Sequence, residues 1–326
     1  MKITAKDVAE RCNTSTATVS RAFRAEATIN PKLRTVILTT ARELGYAPPA
    51  KRLKRTDGRQ TISIVVGDIS NPFYPSVLEK FATEIGARKH YMLVHVVPQG
   101  ETVDSTISQV LRSGSDAAII ASANLSSELA RQCRLRGMPV LLFNRVQADP
   151  NSNAVCADNY NGGLLAAQRL LSRKCESFGF LGGTHDTSTH LERRRGFIDE
   201  LERQKSGLMY EGDGAYSYDI AFGAVSKLLE GPNRPDGLFC ANDIMAFAAI
   251  DAARRIGMVV GQDISVLGFD DVPMAAWTAY ELTTFRQRIG QMVSDAVSLV
   301  EEMWDNPETE GALRMVRCGL VERTSG

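Results

Sequence analysis

From Thr61 onward, short apolar runs alternate with longer amphipathic stretches. Ile62–Val66, Met92–Val97, Ala117–Ala121 and Val140–Phe143 have the length and composition of buried strands, and the stretches near 75–89, 102–113 and 126–136 read as the helices between them. A second set repeats the rhythm, with strands at Phe178–Leu181, Gly237–Cys240 and Ile264–Leu267 and helices near 160–172, 189–204, 217–230 and 242–256. Strand and helix in strict alternation predict parallel sheets covered by helices on both faces. One more helix, near 288–305, is expected to return to the first set.

The first 47 residues follow a different pattern, short helices without strands. Thr4-Ala-Lys-Asp7 is a helix start in which the Thr4 hydroxyl can cap the first turn and Asp7 favours the positive end of the helix dipole. A helix over about 5–11 follows, Asn13-Thr14 breaks it, and Ser15 can cap a second helix from Thr16 to about Phe23. Asn30-Pro31 opens a third, with Leu33, Val36, Ile37, Ala41 and Leu44 on its apolar face and Gly45 as its stop. Val8, Ala9, Val19 and Ala22 can complete a small core. Two short helices meeting at a tight turn form a helix-turn-helix, whose second helix enters the major groove of DNA by its N-terminal end. Thr16, Ala17 and Arg21 are then placed to reach base edges, and Ser15, Thr18 and Ser20 are short hydroxyls suited to phosphate oxygens, with Thr4 counted among the DNA-facing residues. The plainer alternative is a three-helix bundle whose hydroxyls are caps and whose arginine is solvated.

Charge sharpens the choice. The chain of 326 residues carries 38 Lys and Arg against 38 Asp and Glu, but residues 1–59 hold thirteen against five, leaving 25 against 33 for the rest. A basic head on an acidic body is a nucleic-acid signature hidden by the neutral total. A hydrophobic fraction of 44% and a charged fraction of 23% are ordinary globular values and exclude disordered and coiled-coil readings. No apolar run is long enough to span a bilayer and the start lacks a signal-peptide core, so a soluble protein that stays in the cytoplasm is expected. Six scattered cysteines without a C-x-x-C pair suggest reduced, mostly buried thiols, and His185 and His190 have no ligand partner in metal spacing, so neither metal nor cofactor is expected.

Thr4-Ala-Lys-Asp-Val-Ala-Glu, Ala17-Thr-Val-Ser-Arg21 and Ala41-Arg-Glu-Leu-Gly-Tyr-Ala-Pro48 together resemble the headpiece of the lactose-repressor (LacI/GalR) family of bacterial transcription regulators. The resemblance implies an N-terminal all-α helix-turn-helix headpiece over 1–47, a hinge over 48–60, and an α/β periplasmic-binding-protein-like core of two parallel-sheet subdomains over 61–326. Of that core, about 61–158 and 288–305 would form one subdomain, and 159–287 with 306–326 the other. It also implies that Thr16, Ala17 and Arg21 read an operator. The family's hinge helix wedges a leucine into the minor groove. Here Pro49 replaces the expected asparagine and Leu53 arrives two residues early, so Lys51 and Arg52 are expected to hold phosphate while the wedge by Leu53 departs from the pattern.

In open α/β sheets a ligand sits beyond the carboxyl ends of the strands. Read in that way, Asn71 with Phe73 or Tyr74 follows the first strand and Arg145 the fourth, while Arg193, Tyr216, Asn242, Asp270 and Gln287 follow in the second set. Their order and spacing match the family's effector site. Asn71 and Asn242 could equally be turn or cap residues, and Asp158-Asn159 with Gly162-Gly163 suggests a helix start beside the cleft. Adjacent Asp270 and Asp271 at a strand end should point apart.

No G-x-G-x-x-G, G-x-x-x-x-G-K-S/T or G-x-S-x-G stands in the chain, which argues against nucleotide and serine-hydrolase chemistry. The expectation is a dimeric transcription regulator, a repressor, binding double-stranded DNA at a pseudo-palindromic operator under control of a sugar, sugar acid or sugar phosphate; a higher oligomer is open. An anionic effector is favoured by Arg145 and Arg193, unless Arg145 pairs with Asp158 or another acid. A solute-binding protein would need a signal peptide and no basic head, and a sugar-acting α/β enzyme would need a catalytic pair.

Overall fold

The computed structural model describes residues 4–23, 29–44, 46 and 58–326, apart from 68, 99–100, 122–126, 148, 150, 308 and 310. One compact unit comprises residues 1–56 together with 111–114, and the other is built from 57–110 and 115–326.

The first unit holds α1 (Ala5–Arg11), α2 (Thr16–Ala22) and α3 (Pro31–Leu44). Asn13, at φ +47°, makes the left-handed turn between α1 and α2, a conformation asparagine tolerates better than most side chains. Asn30 caps α3, its carbonyl oxygen accepting from the Lys32 amide at 3.0 Å. Val8, Ala9, Val19, Ala22, Ile37 and Ala41 close the core. Val36, expected on the apolar face, is 51% exposed. Next to Ile37 it stands about 100° round the helix from the buried stripe, so the pattern Leu33, Ile37, Ala41, Leu44 leaves it outside.

In the second unit the chain runs β1 (Thr61–Val66), α4 (Phe73–Ala87), β2 (Tyr91–Val96), α5 (Val103–Ser113), β3 (Ala117–Ile120), α6 (Ser127–Leu135), β4 (Val140–Phe143) and β5 (Asn153–Ala157). It continues through α7 (Asn159–Ser172), β6 (Phe178–Gly182), α8 (Ser188–Arg203), β7 (Leu208–Asp213), α9 (Tyr218–Glu230), β8 (Gly237–Cys240), α10 (Asp243–Arg255), β9 (Ser265–Asp270) and β10 (Thr283–Arg286). α11 (Ile289–Asp305), β11 (Leu313–Val316) and β12 (Gly319–Val321) complete it. The strands form two sheets, ordered β11-β5-β4-β3-β1-β2 and β12-β10-β9-β8-β6-β7. All pairs are parallel except β10 with β12. Every residue of β1, β3, β5, β6, β8 and β9 is buried, as continuous apolar runs require when helices cover both faces.

Residues 306–326 were expected in the second half, but β11 extends the first sheet, pairing Leu313 with Ala154 and Val316 with Ala157. The reason is local. α11 packs on α4 and β5 of the first half, so the chain leaving it reaches the open edge of β5, where the Ala154 amide donates to the Ala312 carbonyl at 2.8 Å. Only β12 crosses to the second sheet. Three chain segments therefore connect the halves, after β5, β10 and β11. β5 and β7 also went unread: the apolar run Ala154-Val-Cys-Ala157 is short and made mostly of small residues, and Leu208-Met-Tyr-Glu-Gly-Asp213 turns polar after three positions.

Glycine sets the closeness of α7 and α8. A Cβ at Gly163 would stand 2.1 Å from the Arg193 carbonyl oxygen, and one at Gly196 would stand 2.0 Å from that of Tyr160. Backbone against backbone, the two helices hold Arg193 over the sheet end.

Candidate functional site

In the head, the Thr18 amide donates to the Ser15 hydroxyl at 3.1 Å, and the two hydroxyls bond each other at 2.9 Å. The Asp7 carboxylate accepts from the Thr4 amide at 2.6 Å and from its hydroxyl at 2.7 Å, bonds that hold it below the usual carboxylate range. With Val19 and Ala22 turned inward, Thr16, Ala17, Ser20 and Arg21 share one exposed stripe of α2. Lys51, Arg52 and Leu53 lie outside the described residues.

In the body, a cleft of about 1090 Å³ is lined by residues that follow the carboxyl ends of β1, β2, β4, β6, β7, β8 and β9. Asn71, Phe73, Tyr74, Arg145, Arg193, Tyr216, Asn242 and Asp270 all line it. Gln287 does not. It stands behind Asp270, donating to its carboxylate at 2.6 Å. Two asparagines have a capping role besides lining: Asn71 accepts from the Phe73 amide at 3.1 Å, and Asn242 caps α10 by accepting from the Met245 amide at 3.1 Å. Asp271 faces away from Asp270, bound by Arg286 at 2.6 Å and Arg323 at 2.7 Å.

The two arginines differ in their partners. Arg193 is 2% exposed; its Nε donates to Asn159 at 2.9 Å, its Nη1 to the Ala241 carbonyl at 2.5 Å, and its guanidinium lies 3.6 Å from the Phe269 ring centre. Its Nη2 is 4.0 Å from Asp270. Arg145 donates to the Thr189 hydroxyl and, at 3.4 Å, to the Asn144 carbonyl. Asp158, a possible acid for it, instead caps α7 by accepting from the Asn161 amide at 3.1 Å. The Tyr216 hydroxyl lies 2.9 Å from that of Thr189, joining the loop after β7 to the start of α8.

Sequence reasoning passed over Thr189, Thr187 and Asn159. The first two stand after β6, where the strand-end rule could have found them; nothing in the sequence marked Asn159 as the partner of Arg193.

Burial raises the carboxyl of Asp270, against the lowering influence of Arg193 and of the Gln287 bond. It raises Asp243 behind it too, helped by repulsion from Asp270 and opposed by bonds from the Thr284 hydroxyl and Val272 amide. Several buried polar atoms around the cleft have no hydrogen-bond partner: Asn144 Oδ1, Arg145 Nε, Asn242 Nδ2 and Gln287 Oε1.

A helix-turn-helix head joined to a two-sheet α/β body with a polar cleft defines a DNA-binding transcription regulator. The family profile described as bacterial regulatory proteins, lacI family, matches residues 4–49, and that of the periplasmic binding protein-like domain matches 167–326. The head of the chain is thus of the lacI family of bacterial regulatory proteins, and much of its body is a periplasmic binding protein-like domain. It is 26% identical over 331 residues to the transcriptional repressor CytR of Escherichia coli (strain K12), covering 99% of this chain and 96% of the relative. In fold it resembles the transcriptional regulator CelR in complex with cellobiose (TM-score 0.76, 24% identity, 99% of this chain and 100% of that one). It also resembles the lac repressor dimer bound to operator and the anti-inducer ONPF (TM-score 0.75, 21% identity, 100% of this chain and 99% of that one).

Proposed function

We propose that this protein is a homodimeric repressor that acts in the cytoplasm, binds a pseudo-palindromic operator through its heads, and changes DNA affinity when a small sugar-like molecule enters the body cleft. The observation that carries the ligand half is the cleft's lining, which sets the polar side chains of Asn71, Arg145, Asn242 and Asp270, at once donors and acceptors, beside the rings of Phe73 and Tyr216. A sugar offers hydroxyls for the first and an apolar ring face for the second. Relatives of this build support both halves: the lac repressor structure holds operator as a dimer, and the CelR structure holds cellobiose.

On this reading Thr16, Ala17 and Arg21 contact bases, Thr4, Ser15, Thr18 and Ser20 contact phosphate, and Lys51, Arg52 and Leu53 belong to a hinge between a head over 1–47 and the core. Dimerisation has apolar surface to use, since Leu93, Val94 and Val96 on edge strand β2 are 41–45% exposed. The protein is a regulator and not an enzyme, and among the described residues no helix is long and apolar enough to cross a membrane. A gel shift against the DNA upstream of its own coding sequence tests the reading: specific retardation is expected, relieved or strengthened by one member of a sugar panel. Absence of sequence-specific binding would leave a solute-binding or enzymatic body instead.

A further inference from the structure

We propose that the effector is a small polyhydroxylated anion whose acidic group sits on the guanidinium of Arg145; this rests on the reading of the cleft as the effector site. A buried cation is costly unless an anion or a full set of acceptors compensates it. Arg145 is 7% exposed and lines the cleft, yet its acceptors are one hydroxyl and one distant carbonyl, its Nε has no acceptor, and no carboxylate pairs with it among the described residues. The ring of Tyr216, with its centre 5.9 Å from the guanidinium carbon, gives a cation–π contact at the outer edge of its range, which is weaker than pairing with an anion.

Arg193 shows what a compensated arginine looks like in the same cleft. Asn159, the Ala241 carbonyl, the Phe269 ring and Asp270 surround it. Asp270, held in turn by Gln287, stands 4.0 Å from Arg193 and acts on Arg145 only from beyond ion-pair distance. The other acids lining the cleft, Glu101, Asp186 and Asp219, are exposed, where water screens them. Arg145 Nη1 already donates to Thr189 and Asn144, which leaves Nη2 as the donor for an acidic oxygen of the ligand. Asn71, Asn144 and Asn242 put amide groups on the cleft wall, which match a ligand whose remaining groups both donate and accept hydrogen bonds, as hydroxyls do.

Calorimetry on the intact protein with glucose, glucuronate, galactose, galacturonate and glucose 6-phosphate, at fixed ionic strength, tests this and separates carboxylate from phosphate. The melting temperature in inorganic phosphate against chloride is read alongside. An acidic sugar should bind at least about tenfold more tightly than its neutral counterpart. Arg145→Gln should bring that ratio to about one, while Arg145→Lys, which keeps the charge but not the planar guanidinium held by Thr189, should retain part of it. Equal or tighter binding of the neutral sugar, or an acid preference that survives Arg145→Gln, overturns the proposal. If no sugar binds but phosphate stabilises the wild type and not Arg145→Gln, the anion seat stands and the sugar reading of the cleft falls. If no sugar binds and no anion effect depends on Arg145, both fall.

Discussion

Ser15 and Thr18 already bond each other and close the start of α2, whereas Arg21, on the same helix, is exposed on the stripe that faces away from the core. Removing a cap and removing a base contact should therefore look different. Arg21→Ala is expected to lower specific operator affinity by about 1–3 kcal/mol, leaving random-sequence DNA nearly unaffected, as fluorescence anisotropy on both duplexes would register. Equal loss on the two would make Arg21 a phosphate contact. In the body, Asp243 and Asp270 are both pushed up, chiefly by burial, so the folded state retains protons that the unfolded chain releases near the ordinary aspartate value. The stability carried by the neutral forms is complete below about pH 4 and is lost as the pH rises toward the raised folded values. Urea midpoints of Asp243→Asn relative to wild type should accordingly shift in the variant's favour between about pH 5 and pH 8. A difference constant across that range would mean that Asp243 does not titrate there.

At the scale of elements, the contact between α7 and α8 ties fold to site. Gly196 lies one turn beyond Arg193, and its missing Cβ lets the Tyr160 carbonyl approach. Gly196→Ala should cost about 1–3 kcal/mol in chemical denaturation, because the obstructing atom is backbone and cannot rotate away. It should also weaken binding of the cleft ligand, since the displaced helix carries Arg193. Unchanged ligand affinity in a destabilised variant would show that Arg193 is positioned by Asn159 and Phe269 alone. The stripe of α3 teaches the converse: its periodicity was readable, but Val36 looked as apolar as its neighbour Ile37 and only packing decided between them.

For the whole molecule, thirteen basic residues against five acidic ones in the first 59, ahead of a net acidic remainder, make DNA binding an electrostatic event. A protein that neutralises six or more phosphates loses on the order of a thousandfold in affinity between 50 and 200 mM salt. A loss of that size is expected here for operator and random DNA alike, because the counterion contribution does not read sequence. A loss below about tenfold over the same range would mean that the basic head makes few phosphate contacts.

The sequence by itself determined the alternation of strand and helix, the three helices of the head with their caps and turn, and the strand ends where a ligand would sit. Each of these is written locally, in a period, in a turn residue or in the step from one to the other. It also located Asn71, Arg145, Asn242 and Asp270 in the cleft, because the rule that ligands lie beyond strand ends needs only strand positions, whereas Arg193 and Tyr216 rested on the family resemblance and Thr187 and Thr189 were missed. Tertiary structure alone decided that β11 joins the first sheet, since short strands are chosen by whichever edge lies open beside them. It decided too that Gln287 stands behind Asp270 rather than in the cleft, and that Arg193 is compensated while Arg145 is not. Two arginines read alike along a chain; partners brought together from distant segments give each its charge environment, and no local pattern records that.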